Sequence, residues 1–447
     1  MKKTDIVLGF AFGDEGKGRT VQSLCRSALK EGHKPIVVRF NGGPQAAHTV
    51  VNDGITHICS SYGSGVLLGV PTYITSDAMY DPICLLNEYR TLLKQGLPKE
   101  SIPKVYLSSG CHIITPYDVI VGRINKKVTT DGTCGKGIYA TWHRDNFMDG
   151  GMKLLYPSPE YYFQTEEEKV MEGFKEIIDE VRHFYQADKE LFQSLDEEYN
   201  LHALESEFLN ALTEIHQLGL TEIVNDSLGA DVWLEHNSEF DHVIYEGAQG
   251  LLLDMDYGFF PNVTPSHTGL LNIIGNYNLG NNHPLKRKET MVYLVTRTYL
   301  TRHGNGYMPK YPLHSESGIC CGYDFLFSPE YPETNVNNEW QGEFKVGALE
   351  VSLLNEAIMR HHLDTYLPRY GTKFSLVITH MDDVREAGVF YYENHGRLMN
   401  TKLVESPERL GKRISEEILL DFEKVYFTDS VNGDLKDCKI RKRTKKY

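Results

Sequence analysis

A hydrophobic run from Asp5 to Phe10 ends on Gly13-Asp14-Glu15-Gly16-Lys17-Gly18, and a helix-like stretch follows from Lys17 to Lys30. No other feature limits the fold as much. A glycine-rich turn between a buried strand and a helix N-terminus aims backbone amides at an anion, while the helix dipole and Lys17 add positive potential. The segment therefore reads as a P-loop-like phosphate site in an α/β fold. It departs from the Walker A pattern, since Ala11 stands where the first glycine is expected and Gly18 where Ser or Thr follows the lysine. A carboxylate inside such a loop repels polyphosphate unless it holds Mg²⁺ or moves a proton, which makes Asp14 a candidate for both tasks.

Further apolar β-rich runs occur at Pro35 to Phe40, Thr72 to Ser76, Val105 to Ser108, His242 to Glu246, Met291 to Thr296 and Phe374 to Thr379. Their alternation with helical stretches predicts a mostly parallel central sheet with crossover helices and active-site loops after the strands' carboxyl ends. Between about Thr165 and Leu218 the sequence becomes Glu-rich, with Phe, Leu, Ile and Tyr at three- and four-residue spacing. This predicts a helical insertion of two amphipathic helices on the side of the sheet, within one large domain over residues 1–447. Internal repeats are absent, and Ser328 to Gln341 reads as a long functional loop.

With 447 residues, 41% of them hydrophobic, the chain can bury a large core. A net charge of -15 argues against a general nucleic-acid binder, and the basic tail Lys439 to Lys446 reads as a solvated end. No apolar run approaches the roughly 20 residues that span a bilayer. Met1-Lys2-Lys3-Thr4-Asp5 passes into a strand without a signal-peptide pattern, so a cytoplasmic protein is expected. The eight cysteines lack CxxC pairs and zinc-like spacing, which predicts reduced thiols, with the adjacent Cys320 and Cys321 buried.

Two more loops follow predicted strands. Asn41-Gly42-Gly43-Pro44-Gln45-Ala46-Ala47-His48-Thr49 brings an imidazole, and strand order can set His48 beside the phosphate loop as a proton or hydrogen-bond donor to phosphoryl oxygens. Glu246-Gly247-Ala248-Gln249-Gly250, continuing to Asp254 and then to Phe260-Pro261-Asn262-Val263-Thr264, offers Gln249, whose amide can donate and accept at a purine lactam edge.

Taken in order, these strings resemble adenylosuccinate synthetases, from Asp5 to about Asp383. The resemblance implies a GTP-dependent ligase that phosphorylates the 6-oxygen of IMP and lets the amine of L-aspartate displace phosphate, in a cytoplasmic homodimer with Mg²⁺. It implies that Asp14 is the base at N1 and a Mg²⁺ ligand, His48 the general acid, and Ala47 a carbonyl ligand to the metal. Gln249 and Thr264 would contact the purine nucleoside monophosphate. Gly13, Glu15, Gly16, Lys17, Gly18 and Thr49 would line the nucleotide site, with Lys17 also facing the substrate. Gly132-Thr133-Cys134-Gly135-Lys136-Gly137-Ile138 is similar to the loop that grips the substrate phosphate through Thr133 and Cys134. Thr379-His380-Met381-Asp382 is similar to the string that reads guanine, with Asp382 accepting from its N1 and amino group. Arg144 is the nearest candidate for the arginine that a partner subunit supplies, at a spacing unlike the family's.

Several positions depart from the family pattern. Gln45 replaces asparagine at the substrate, Ala47 glycine, Cys134 threonine, Lys136 arginine and His380 lysine. In Asn335 to Gly347, where the family holds aspartate with arginines, Glu343 and Lys345 occupy arginine positions, so either Lys345, Arg302 or His303 supplies the charge or the co-substrate differs. Ser60 to Gly65 lacks the family's proline. Two alternatives stay open. One is the same chemistry on GMP or dGMP, with ATP as a possible donor, as in viral enzymes that make 2-aminoadenine precursors and lack the aspartate found here as Asp14. The other is an inactive nucleotide-binding regulatory paralogue.

Overall fold

The structure, a computed structural model, describes residues 2–128, 134–147, 167–224, 226, 229–274, 290–309, 340, 342–365, 372–382, 389–402, 407–430 and 434–438. In chain order the strands are β1 (Lys3–Gly9), β2 (Pro35–Arg39), β3 (His48–Asn52), β4 (Ile55–Cys59), β5 (Thr72–Ile74), β6 (Met79–Tyr80), β7 (Val105–Ser108), β8 (His112–Ile113) and β9 (Thr221–Val224). They continue as β10 (His242–Gly250), β11 (Thr290–Arg297), β12 (Tyr299–His303), β13 (Phe344–Glu350), β14 (Lys373–Thr379), β15 (Val389–Asn394), β16 (Arg397–Lys402), β17 (Lys424–Phe427) and β18 (Lys436–Asp437). Helices α1 (Lys17–Lys30), α2 (Pro82–Lys94), α3 (Pro116–Val128) and α4 (Ile138–Phe147) fall in the first third.

Ten strands form one sheet in the order β18-β17-β14-β11-β1-β10-β2-β5-β7-β9. All its pairings are parallel except β17 with β18. Every apolar run named from the sequence is a strand of this sheet, and the period of two explains its burial. In β1, Ile6 and Leu8 enter a large core on one face, while Val7 joins Val21, Leu24 and Cys25 of α1 on the other. Strands covered on both faces read as continuous hydrophobic runs.

The helical insertion differs from the expected two helices. Three helices, Glu167–Gln186, Lys189–Glu198 and Leu201–Leu218, occupy it. Asp188 caps the second by accepting from Leu191 N at 3.1 Å, and Asn200 caps the third by accepting from Ala203 N at 3.1 Å. Those two caps divide what periodicity alone merges. The helices bury Phe174, Ile177, Leu195, Phe208 and Ile215 with α2 in a second core that also takes in Ile74 of β5 and Val105 and Leu107 of β7.

The described cysteines are free thiols. Cys320, Cys321, the loop Ser328 to Glu339 with Gln341, and the tail Lys439 to Lys446 lie outside the described residues. Among the described residues no helix is long and apolar enough to cross a membrane.

Candidate active site

The phosphate loop, residues 10–16, turns back over the carboxyl end of β1. Gly16 caps α1 with φ 87°, a left-handed conformation that suits glycine. Thr379, at the end of β14, braces the loop from the other side by donating its hydroxyl to Glu15 O at 2.8 Å. A Cβ on Gly18 would lie 2.6 Å from His48 Cβ and 2.9 Å from Ser64 Oγ. The histidine thus occupies the space that a Walker Ser or Thr needs, which is why position 18 is glycine.

Lys17 is not the mobile charge its place in the motif suggests. It is buried, with Nζ 3.5 Å from Glu15 Oε2. Ala11 N donates to Glu15 Oε1. Burial raises the Glu15 pKa against the opposing pull of Lys17. The pair neutralises itself beneath the loop.

The third loop exists because β10 slips against β1. Val7 pairs with Glu246 and Gly9 with Gly250, so Leu8 alone faces Gly247, Ala248 and Gln249. The bulge re-aims the strand end. Gln249 takes φ 61°, and its side-chain oxygen approaches Gly13. Just before the bulge lies Glu246, fully buried, whose Oε1 is 2.6 Å from His48 Nδ1. Ser64 N donates to Glu246 Oε2 at 2.9 Å, and Ser64 Oγ donates to Oε1. Burial pushes the Glu246 carboxyl up, but His48, Arg39 and Ser64 together hold it down at about 2. Burial lowers the His48 pKa despite Glu246. The neutral ring therefore carries its proton on Nδ1, facing the carboxylate, and an arriving polyphosphate would raise its basicity.

β12 runs alongside the same loop. Thr301 donates to Gly13 O at 3.2 Å, the Arg302 guanidinium lies 4.5 Å from the Phe12 ring centroid, and His303 Nε2 is 3.7 Å from Asp14 Oδ2. Asp14 holds φ 55°, with its side chain 31% exposed and its carbonyl accepting from Arg297 Nε. Arg302 is buried and donates to Tyr307 O at 3.0 Å and Asn262 O at 2.9 Å. Burial alone lowers its pKa to about 10. It thereby straps the Pro261 turn, and so Thr264, to the phosphate loop. Lys345, on β13, lies directly across from Arg302 on β12, a like-charge pair on one face of the two antiparallel strands.

At the end of β14, His380 takes φ 58° and its Nδ1 is 2.8 Å from Thr379 Oγ1. Burial, with Arg297 and Arg19 nearby, holds the ring well below its ordinary pKa. Asp382 Oδ1 is buried without a hydrogen-bond partner. Such an acceptor suits a ligand's N–H group.

Strand β10 separates β2 from β1, so the second loop reaches the first across the third. Asn41 makes the join: its Oδ1 accepts from Ala248 N at 2.8 Å and its Nδ2 donates to His267 O at 3.0 Å. Arg39 sits beneath, donating to Ser60 O at 3.0 Å, Gly43 O at 3.2 Å and Ala46 O at 3.3 Å. Both amide atoms of Gln45 are buried and unpartnered. Ala47 is exposed and Thr49 half-buried.

Thr133 lies outside the described residues. Cys134 packs against Met79, Ile114 and Ile138, and Trp340 lies over Gly135 with the Arg123 guanidinium 5.2 Å from its ring centroid. Arg144 corrects an expectation. It is fully buried, its Nε 2.9 Å from Asp118 Oδ1 and its Nη1 2.6 Å from Asp145 Oδ1, which makes it a core strut and removes it from any subunit-bridging role.

Glu246, Arg39 and Arg297 were not singled out from the sequence for the work they do. A signal was present. Each is a charged residue closing an apolar run, in HVIYE, PIVVR and TMVYLVTR, at the strand end where ligand loops begin.

The chain is 31% identical over 316 residues to the adenylosuccinate synthetase of Lawsonia intracellularis. That match takes in 68% of the chain and 64% of the relative, so it spans less than two thirds of that protein's length. The fold is similar to that of a fully ligated adenylosuccinate synthetase from Plasmodium falciparum, with TM-score 0.67 at 18% identity, covering 97% of this chain and 99% of that one. It is also similar to a cyanophage S-2L succinoaminodeoxyadenylate synthetase bound to dGMP, with dATP as energy donor, with TM-score 0.57 at 15% identity, covering 98% and 96%. A family profile described as adenylosuccinate synthetase matches residues 6–318, ending short of Lys345, His380 and Asp382. By that match, over most of its length and through all three loops of the site, the chain belongs to the adenylosuccinate synthetase family.

Proposed function

We propose that the chain is a carbon–nitrogen ligase that makes adenylosuccinate from IMP, GTP and L-aspartate. The observation that carries this reading is the join between the loops: Gly18 of the phosphate loop backs directly onto His48, which Glu246 anchors, while Asp14 stands in the same loop with its carboxylate partly exposed. Asp14 removes the N1 proton of the purine lactam, which makes the 6-oxygen nucleophilic toward the terminal phosphorus of GTP. His48 donates a hydrogen bond or proton to phosphoryl oxygens as GDP leaves. The aspartate amine then attacks C6 and phosphate departs, a far better leaving group than hydroxide.

Gln249 and Gln45 supply amides to the substrate, and the Asp382 carboxylate, whose buried Oδ1 has no protein partner, favours guanine over adenine, because guanine alone offers paired donors. Asp14 and the Ala47 carbonyl are hard oxygen donors that fit Mg²⁺, which when bound spreads the charge of the transferred phosphoryl group. Arg302 and His303, which approach the loop from β12, and Lys345 opposite Arg302 are the side chains assigned to the amino acid's carboxylates. A homodimer is expected from the family alone.

Purified protein incubated with Mg²⁺, L-aspartate, GTP or ATP, and each of IMP, dIMP, GMP and dGMP tests this by phosphate release and succinylated product. Product with IMP and GTP supports the proposal. Product only with GMP or dGMP transfers it to the 2-aminoadenine reaction, and no product with any pair supports the regulatory reading. Asp14→Asn should lower turnover by about 10³-fold or more while nucleotide binding stays measurable, and a fully active variant removes Asp14 from its role.

A further inference from the structure

The hairpin that carries His48 has a second group of polar side chains on the same face. His48 pairs with Cys59 and Val50 with His57 across β3 and β4, so these residues all point to one side. Helix α2 meets that side with Glu88. Ligand atoms of His57, Cys59 and Glu88 lie within 4.8 Å of one another, and all three residues are buried. We propose that His57 Nε2, Cys59 Sγ and a Glu88 carboxylate oxygen bind one divalent zinc-type cation that clips the His48 hairpin to α2.

Hydrogen-bond direction supports this. Gln95 Nε2 donates to Thr56 O at 2.9 Å, which fixes its amide so that Oε1 faces His57 Nδ1, also at 2.9 Å. Nδ1 must therefore carry a proton. His57 Nε2 faces Glu88 Oε1 at 3.1 Å. A ring between two acceptors is either a buried imidazolium or a neutral ligand whose lone pair points at a metal, its other nitrogen held by an outer carbonyl as metal-binding histidines are. Glu88 is oriented as well, its Oε2 accepting from Ser60 N at 3.0 Å and Ser61 N at 2.6 Å.

Ligand atoms around a tetrahedral zinc stand roughly 3.3–3.7 Å apart, given bonds of about 2.0–2.3 Å. The His57–Glu88 separation of 3.1 Å is already close to that, and the Cys59 sulfur, within 4.8 Å of both, must move inward to bond the same ion. Thiolate, carboxylate and imidazole suit zinc rather than Mg²⁺. The ion's two charges balance the thiolate and carboxylate, so the core gains no net charge. Binding displaces the proton of the buried Cys59 thiol. Ser61 Oγ and the Tyr62 hydroxyl, in the segment just after Cys59, are buried without partners. Either of them or a water completes the set.

The full-length protein, passed through chelator-treated buffer containing Mg²⁺, should retain about one zinc per chain by mass spectrometry. Exchange for Co²⁺ should give a near-ultraviolet thiolate charge-transfer band and the visible bands of a tetrahedral site. Cys59→Ala should abolish the charge-transfer band, Glu88→Gln should reduce metal retention, and Cys84→Ala should leave both intact. Wild-type protein without a cobalt–thiolate band overturns the proposal and makes His57–Glu88 an ion pair only. So does zinc content that is equal in wild type and Cys59→Ala, since that ion sits elsewhere. If a variant fails to fold, the wild-type cobalt spectrum alone decides. None of these readouts depends on turnover, so the clip and the proposed reaction can fail separately.

Discussion

At position 246 a fully buried carboxylate accepts from His48, Ser64 N and Ser64 Oγ and stays ionised with a pKa of about 2. Its effect on His48 is opposite to that of burial: burial drives the ring toward neutrality, and the adjacent anion favours the protonated form that a general acid needs. Glu246→Gln keeps the shape and removes the anion. The imidazolium then loses its main stabiliser, so kcat should fall by about 10²-fold, and the alkaline fall of the pH–rate profile should shift to lower pH. An unchanged pH profile with lowered kcat would assign Glu246 to folding alone. Gln45 and Asp382 make a different statement at this scale. Both bury polar atoms without a protein partner, and such groups normally mark a ligand's place.

Between elements, single arginines do much of the joining. Arg39, from the end of β2, is the shared donor to carbonyls of residues 43, 46 and 60. Arg39→Met should cost about 2–4 kcal/mol in denaturant unfolding, because buried acceptors lose their hydrogens together, and KM for the nucleoside monophosphate should rise. A stable variant with unchanged KM would show that the loop supports itself. Arg144 makes the complementary case. Arg144→Met leaves Asp118 and Asp145 buried against an uncharged side chain and should cost about 3–5 kcal/mol, with kcat per folded molecule unchanged. Loss of kcat without loss of stability would return Arg144 to the site. The parallel sheet and α1 were legible in the sequence because a strand buried on both faces must be apolar throughout and a phosphate loop must open a helix. The third helix of the insertion was hidden because Asp188 and Asn200 read as further polar residues in a polar stretch. Arg39 and Glu246 were visible as charges, but Arg39 gathers carbonyls 4–23 residues on and Glu246 meets partners 182–198 residues back, and no local pattern reports which partners converge.

Across the whole molecule, a net charge of -15 at neutral pH means that acid titration first relieves self-repulsion, so acid is not destabilising merely because it adds protons. Individual buried carboxylates decide the outcome. Burial raises Glu15 and Asp81, so each takes up its proton at higher pH in the fold than in the unfolded chain and gives up a native-state penalty as pH drops. Glu246 and Asp254 do the reverse. Burial opposes their charge, but His48, Arg39 and Ser64 bring Glu246 to about 2, and His267 with the Asp256 and Thr268 amides brings Asp254 to about 2. A carboxyl whose native pKa is depressed stabilises the fold fully above its unfolded pKa and loses that contribution as pH falls through the native one. For Glu246 the window runs from 4.5 down to about 2. Unfolding free energy should therefore begin to decline below pH 6.5, where unfolded histidines take up protons that buried His48 and His380 resist, and should fall more steeply below about pH 4.5 as the Glu246 and Asp254 contributions are lost; urea titrations at stepped pH measure this. Glu246→Gln has no proton to gain at that site, so its curve should start lower at neutrality and decline less steeply in acid. Parallel curves for the two proteins would mean that the carboxylate beneath His48 is not held ionised by the fold, and the electrostatic account of the His48 hairpin would go with it.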